Sequence, residues 1–396
     1  MSAGAPTSGP GQRDLVREIA AELDDELVAF RRDLHAHPEL SRAEVRTTAV
    51  VLERLRAAGL RPTPLLVTGL YCDIGPVSGP DGERLSRLAL RADLDALPVD
   101  DRCGCPWESA APHVAHACGH DLHTTVVLGA GLVLAELDRR GVLTRPVRLV
   151  FQPAEEVQPG GALDFVGQGV LDGVDRVVAM HTEPKLDVGQ VGTRIGPITS
   201  ASDTVSVTVT GSGGHTSRPH LSGDVVYALG QVITQVPGVL GRRLDPRSGV
   251  NLTWGAVHAG DVHNVIPASG TVSGTLRCLD VRAWERAGQV LHDAVEQVVA
   301  PYDVDVTVHH ARGVPPVDND EAVNADLEAA ARAVVGPGGV VLTEQSLGAE
   351  AGHGAGTPGG RRYDLHQGDL VIDERAIGVG VRVLAGMGAG VLAPAD

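Results

Sequence analysis

The chain has 396 residues, 43% of them hydrophobic and 21% charged, with 50 glycines and a formal net charge of −17. That length exceeds the ~250–300 residues at which one hydrophobic core stops growing, so two domains are expected. The negative charge, the 3% aromatic content and the lack of any basic stripe argue against nucleic acid and anionic membranes as partners.

Met1 to Gln12 is rich in Pro, Gly and Ser, lacks the basic start and apolar core of a leader, and reads as a disordered tail. From Asp14 the apolar spacing is helical, with Leu15, Ile19, Leu23, Leu27 and Phe30 on one stripe before Pro38 interrupts it. A second helix is predicted over Ala43 to Ala58. Short apolar runs follow at Leu88 to Leu90, Val147 to Phe151 and Val177 to Met180, with a helical pattern from His123 to Leu137 among them. Strands alternating with helices predict an α/β fold with a parallel or mixed sheet covered on both sides. The longest uncharged apolar stretch, Val126 to Ala135, is about half of a membrane span.

Between about Ser200 and His310 the rhythm changes. Strands are predicted at Asp203 to Thr210, Val250 to Val257, Thr271 to Cys278 and Asp303 to His309, with helices at Asp224 to Val236 and Val281 to Val299. This βαββαβ order is the ferredoxin-like plan. The expected organisation is a catalytic domain over 13–199 and 312–391 with an inserted domain over 200–311.

Polar residues follow the apolar runs of the first part. Asp93 and Asp95 come after Leu88 to Leu90, Glu155 and Glu156 after Val147 to Phe151, and His181 after Val177 to Met180. In open α/β sheets the carboxyl ends of strands line one crevice, so these positions converge on one edge. His116-Ala117-Cys118-Gly119-His120-Asp121 lies just before a helix, and its Cys-x-His spacing lets a thiolate and an imidazole reach one ion. Singly, each piece has an ordinary reading: His181 as a hydrogen-bonded strand end, Glu155-Glu156 as a solvated pair, Asp93 and Asp95 as a helix cap, Cys118 as a small buried hydrophobe. Together they form a nitrogen, sulfur and oxygen donor set.

Five cysteines, odd in number and irregularly spaced, suit a reducing, cytoplasmic compartment better than a disulfide framework. Cys103-Gly104-Cys105 lacks the gap of common redox or zinc pairs and reads as structural. Gly354 to Gly359 matches a dinucleotide motif in letters only, without a strand before it or a helix after it. His35 and His37 fit a helix end, either lining a site or capping.

Arg91 to Pro98, His116 to His120, Gln152-Pro153-Ala154-Glu155-Glu156, Met180-His181 and Gly213 to His220 together resemble the aminoacylase and glutamate carboxypeptidase family of dinuclear metallopeptidases, and most nearly its hippurate and auxin-conjugate amidohydrolases. The resemblance extends from about Arg31 to Leu384. It implies a zinc-peptidase-like catalytic domain with an inserted dimerisation and lid domain, and two divalent ions held by Cys118, His120, Glu156, His181 and His366. It further implies Glu155 as general base, Asp93 orienting the ligands, His215 stabilising the oxyanion across a homodimer, and Asn264, Arg277 and His220 on the substrate. The thiolate and imidazoles suit Zn²⁺, while the carboxylates and imidazoles also accept Mn²⁺, Co²⁺ or Ni²⁺. The implied activity is hydrolysis of the amide bond of small N-acyl amino acids.

One segment departs from the family's pattern. Between Leu342 and Gly360 the usual Gly-Glu-Asp-Phe-like stretch is missing and the run before His366 is short. This supports an alternative in which the chain retains metal as a binding protein with weak or no turnover.

Overall fold

The computed structural model describes residues 10–345 and 351–391. The chain divides into two compact units. The first runs to Arg194 and resumes over Asp320–Thr343 and the C-terminal part; the second is Ile195–Asn319 with 344–345.

The first unit is built on an eight-stranded mixed sheet in the order Thr63–Pro64, Leu70–Ile74, Val147–Gln152, Leu88–Asp93, Arg176–Asp187, Ala351–Gly356, Val191–Thr193, Val340–Leu342. The three central strands run parallel, with Leu88 opposite both Val147 and Arg176, and Asp93 opposite Gln152. Their carboxyl ends therefore reach the same edge. Alternation along these strands separates two cores. Leu88, Leu90 and Leu149 join the main core on one face, while Ala89 and Val150 meet Phe165 and Val170 on the other. Covering both faces is what makes such strands read as near-continuous apolar runs.

The helices Pro10–Ala36, His120–Arg139 and Arg375–Ala389 pack together over the main core. Leu27 and Leu34 of the first and Leu122, Leu128 and Leu134 of the second are wholly or almost wholly buried. Their close approach needs glycine: a Cβ at Gly129 would fall 2.6 Å from Val381 and 2.7 Å from Leu27.

Three readings need revision. The tail reading fails at its end, because residues 10–12 open the first helix; Met1 to Gly9 lie outside the described residues. The reading that no strand precedes Gly354 to Gly359 also fails, since Ala351–Gly356 is a strand pairing parallel with Arg176–Asp187 and antiparallel with Val191–Thr193. Glycine is used there for proximity, as a Cβ at Gly354 would sit 2.2 Å from the Asp187 carbonyl. Ser346 to Glu350, the heart of the shortened segment, lie outside the described residues. Finally, Cys103 and Cys105 are joined in a disulfide with Cα atoms 5.3 Å apart, against the expectation of reduced thiols.

In the second unit, four antiparallel strands stand in the order Asn251–Ala259, Ser269–Cys278, Ala201–Thr210, Asp305–Val314. The helices Val225–Arg243 and Val281–Val299 connect and cover them. Alternate residues Val205, Val207 and Val209 are fully buried against Leu229, Val232, Leu291 and Val295, as a half-covered sheet requires. Both helices start on aspartate caps: Asp224 accepts from the Tyr227 N–H and Asp280 from the Ala283 N–H, satisfying donors the first turn leaves open. Among the described residues no helix is long and apolar enough to cross a membrane.

Candidate metal centre

The edge where the three parallel strands end collects the predicted donors. Donor atoms of Cys118, His120 and His181 lie within 4.8 Å of one another, as do those of Cys118, Glu156 and His366, and those of His120, Glu155 and Glu156. Cys118 Sγ is 3.5 Å from His181 Nε2. Glu156 Oε1 is 3.7 Å from His120 Nε2 and 3.5 Å from His366 Nε2. Positions separated by up to 248 residues, from Cys118 to His366, thus share one cluster within the first unit.

Local backbone explains how each donor is aimed. Gly119 caps the helix His120–Arg139 at φ 82°, and a Cβ there would meet Thr182 Oγ1 at 2.4 Å. That left-handed turn, which glycine adopts without steric cost, directs Cys118 and His120 the same way. Ala154 also has positive φ, 52°, and its N–H donates to Glu44 Oε1 at 2.7 Å. The turn swings Glu155 and Glu156 over the sheet edge. His366 has φ 62°, with its N–H donating to the Ala117 carbonyl at 2.7 Å. Strained non-glycine backbone held by surrounding bonds is common at functional sites.

A second layer of groups orients the imidazoles. His120 Nδ1 is 2.8 Å from the Asp95 carbonyl and His181 Nδ1 is 2.8 Å from the Thr182 carbonyl, so both rings turn Nε2 inward. The Asp95 side chain accepts from the Glu156 N–H at 3.0 Å and from Ser41 at 2.6 Å. Asp93, 1% exposed, lies 2.6 Å from His123 Nδ1, 2.7 Å from Arg91 and 3.6 Å from His120 Nε2. His123 and Thr182 were not singled out from sequence, although His123 follows His120 at helical spacing; Asp95 was noted at the strand end but given no role.

The donor chemistry fits divalent cations. Burial by itself would raise the Cys118 thiol, but His181 and His120 overcome it and hold it well below its usual range, as a thiolate. Burial would lower His120, yet Asp93 and the Cys118 thiolate raise it well above the usual imidazole value. His366 is pushed up to about 10, chiefly by its bonds to Cys118 and Glu156. Protons on imidazoles are here balancing an excess of anionic groups, a balance that cations restore more directly. Moreover, His120 Nε2 and Glu156 Oε1 are buried without a hydrogen bond, a costly arrangement that coordination relieves.

Glu155 keeps solvent access, but desolvation in the crowded cleft, reinforced by the charge of Asp93, pushes its carboxyl up to about 7. Next to His366 opens a cavity of about 640 Å³, bounded by Pro98, Asp100, Arg102, His113 and Gly368.

The remaining predicted residues belong to the second unit. His215 is exposed, its Nδ1 accepting from the Ser217 N–H at 3.1 Å, and it pairs with Val265 next to Asn264, whose carbonyl accepts from the Thr216 N–H at 3.3 Å. His220 is exposed on the turn Pro219–Leu221. Arg277 is half-buried on another ladder, opposite Ser202 and Asn251. The structure thus brings His215 and Asn264 together and places Arg277 on a separate ladder.

A mixed α/β unit with Cys, His and Glu donors gathered at its strand ends is the architecture of a metallohydrolase. Residues 89–388 match the peptidase family M20/M25/M40, and the chain belongs to that family, a family of enzymes that hydrolyse amide bonds. It is 37% identical over 312 residues to an N-acetyl-L-cysteine deacetylase of Bacillus subtilis (strain 168), covering 78% of this chain and 73% of that one. It is 46% identical over 389 residues to a Rhodococcus jostii (strain RHA1) protein named as a candidate glutamate–cysteine ligase, covering 94% of this chain but 48% of that protein. The chain therefore spans about half the length of that relative. Among solved structures it resembles a Bacillus subtilis dinuclear metal-binding peptidase of the M20 family, with a TM-score of 0.80 and 28% identity over 94% of this chain and 99% of the other.

Proposed function

We propose that the protein hydrolyses the amide bond of N-acyl amino acids at a two-metal centre held by Cys118, His120, Glu156, His181 and His366. The observation that carries this reading is the convergence of those five side chains, with the Glu155 carboxylate close beside His120 and Glu156. Divalent ions bound there would supply Lewis acidity to a water and to the scissile carbonyl.

The chain's own residues do the rest. Glu155, with its carboxyl near neutrality, accepts a proton from the attacking water and delivers it to the departing amine, the range in which one group serves as both base and acid. Asp93 holds His123 and faces His120, fixing the inner imidazoles. Cys118 lies near His120, His181 and His366, and Glu156 near His120 and His366, so both would be placed to hold a divalent ion. Zn²⁺ agrees best with a thiolate among imidazoles; Mn²⁺ agrees with the carboxylate share.

We further read the second unit as a ferredoxin-like dimerisation and lid domain that supplies His215 to the oxyanion, and Asn264, Arg277 and His220 to the substrate carboxylate. Arg277 offers a planar fork matched to a carboxylate. The strand Asn251–Ala259 lies at the sheet edge with Val257 53% exposed, an edge suited to pairing with a second copy. The kinship with an N-acetyl-L-cysteine deacetylase makes N-acetylcysteine and other N-acyl amino acids the first substrates to assay.

The test is release of free amino acid from N-acetyl and N-benzoyl amino acids by metal-loaded protein. Turnover that a chelator abolishes and added Zn²⁺ or Mn²⁺ restores supports the reading. Stoichiometric metal without turnover of any of them would favour the alternative of a metal-retaining binding protein.

A further inference from the structure

A second group of metal-grade donors uses none of these residues. His35, Cys103 and Cys105 each place one ligand atom within 4.8 Å of the others. The two cysteines come from a short loop in which Gly104, at φ 65°, lets both sulfurs face the same way. His35 comes from the last turn of the helix Pro10–Ala36 and is 3% exposed.

Its orientation is controlled from behind. His35 Nδ1 lies 2.8 Å from Asp121 Oδ2, and Arg31 Nε clamps the same carboxylate at 2.7 Å. The opposite nitrogen, Nε2, is buried without a well-formed hydrogen bond and lies 3.2 Å from Asp101 Oδ2. Asp101 accepts the Cys103 N–H at 3.0 Å and the Ser109 N–H at 2.8 Å, so it fixes the cysteine loop against the histidine. An imidazole held by a buried carboxylate at one nitrogen is how proteins orient a metal-binding histidine, and one nitrogen of this ring lies within 4.8 Å of both sulfurs. Once reduced, two thiolates and one imidazole make a three-donor set that Zn²⁺ accepts, with the fourth position left to solvent.

We propose that the reduced Cys103–Cys105 pair binds a Zn²⁺-class cation together with His35, and that oxidation by a low-molecular-weight disulfide replaces this ion by the Cys103–Cys105 bond. In the oxidising direction one cysteine thiolate attacks the small disulfide RSSR and expels RS⁻. The second cysteine thiolate then attacks the sulfur of the first and expels the other RS⁻. Two electrons pass from the cysteine pair to RSSR, solvent protonates both released thiolates, and the cation leaves to solvent. A reducing thiol reverses each step.

The site is positioned to register at His366. The Arg102 N–H donates to the Gly368 carbonyl at 2.6 Å, and a Cβ at Gly368 would fall 1.9 Å from the Asp100 carbonyl. The backbone leading into Cys103 is therefore in direct contact with the segment that carries His366.

The experiment compares metal content of the full-length protein after Zn²⁺ loading and dialysis, once reduced with a phosphine and once oxidised with a small disulfide. The reduced wild type should hold one more Zn²⁺ per chain than the oxidised form, and that ion should shield Cys103 and Cys105 from iodoacetamide. Cys103→Ser and Cys105→Ser should show no redox-dependent difference. Equal Zn²⁺ content in reduced and oxidised wild type overturns the proposal without reference to any variant, and so does a redox-dependent ion that survives in Cys103→Ser. Neither outcome depends on turnover, so failure here is separable from failure of the hydrolase reading.

Discussion

Glu44 accepts a hydrogen bond from the Ala154 N–H at 2.7 Å across 110 residues of chain, and this contact holds the turn that aims Glu155 and Glu156. Glu44 is fully buried and also accepts from the Arg42 N–H at 2.9 Å and Thr68 Oγ1 at 2.7 Å. Glu44→Ala strands these donors and should cost about 2–6 kcal/mol of stability, at about 1–3 kcal/mol for each of the two buried donors, the Ala154 N–H and the Thr68 hydroxyl. Glu44→Gln keeps an acceptor for the two amides and should be far milder, because the Thr68 hydroxyl can turn to accept. Urea unfolding of the two variants checks the order; equal losses would remove Glu44 from this role.

Glu155→Gln should lower kcat by ~10²–10⁴-fold, the usual share of general acid–base catalysis. Metal content should stay at the wild-type level, since Glu155 is not assigned as a ligand. Steady-state assays paired with metal analysis measure both, and an undiminished kcat would mean that another group moves the proton.

Cys118→Ala should reduce bound metal, whereas Cys118→Asp, which restores an anionic donor, should retain more of it. The thiolate's depressed pKa, set by His181 and His120 against the cost of burial, is the basis for this order. Inductively coupled plasma analysis after dialysis distinguishes the two, and identical metal content in Cys118→Ala and wild type would exclude Cys118 as a ligand.

His353 should make stability depend on pH. It is 1% exposed, and burial holds its imidazole down at about 4, against about 6.5 in an unfolded chain. Above pH 6.5 the ring is neutral in both states and contributes nothing to the dependence. Between 6.5 and 4 the unfolded chain binds a proton that the native protein does not, so stability falls as pH falls. From pH 7 to pH 5 this amounts to about 2 kcal/mol, and His353→Leu should lose less stability than wild type over the same interval. Urea midpoints at the two pH values provide the comparison; parallel losses in both proteins would contradict it.

Much of this site was legible because strand ends carry chemistry in an α/β sheet. Apolar runs marked Leu88–Asp93, Val147–Gln152 and Arg176–Asp187, and the polar residues in or just beyond these strands gather in one cluster. What could not be read was support arriving from far along the chain. Nothing near Glu44 points to Ala154, and nothing near His35 points to Asp121, Asp101 or the two cysteines, because such contacts exist only after the helices dock. The strand Ala351–Gly356 escaped notice for a different reason. Glycine weakens a strand pattern, yet Gly354 and Gly356 are required there by backbone carbonyls of the neighbouring segment, with Asp187 and Pro184 within 2.5 Å of where a Cβ would stand. The second unit was easier, since alternating valines such as Val205, Val207 and Val209 announce a half-covered sheet.

The most direct measurement is a crystal structure of the oxidised protein grown with Zn²⁺ or Mn²⁺, with the ions located by anomalous scattering. Two peaks ~3.5–4 Å apart, bounded by Cys118, His120, Glu156, His181 and His366 and approached by Glu155, are the predicted result. Loaded crystals with no ion among those five side chains, or with ions bound only elsewhere, would contradict the account.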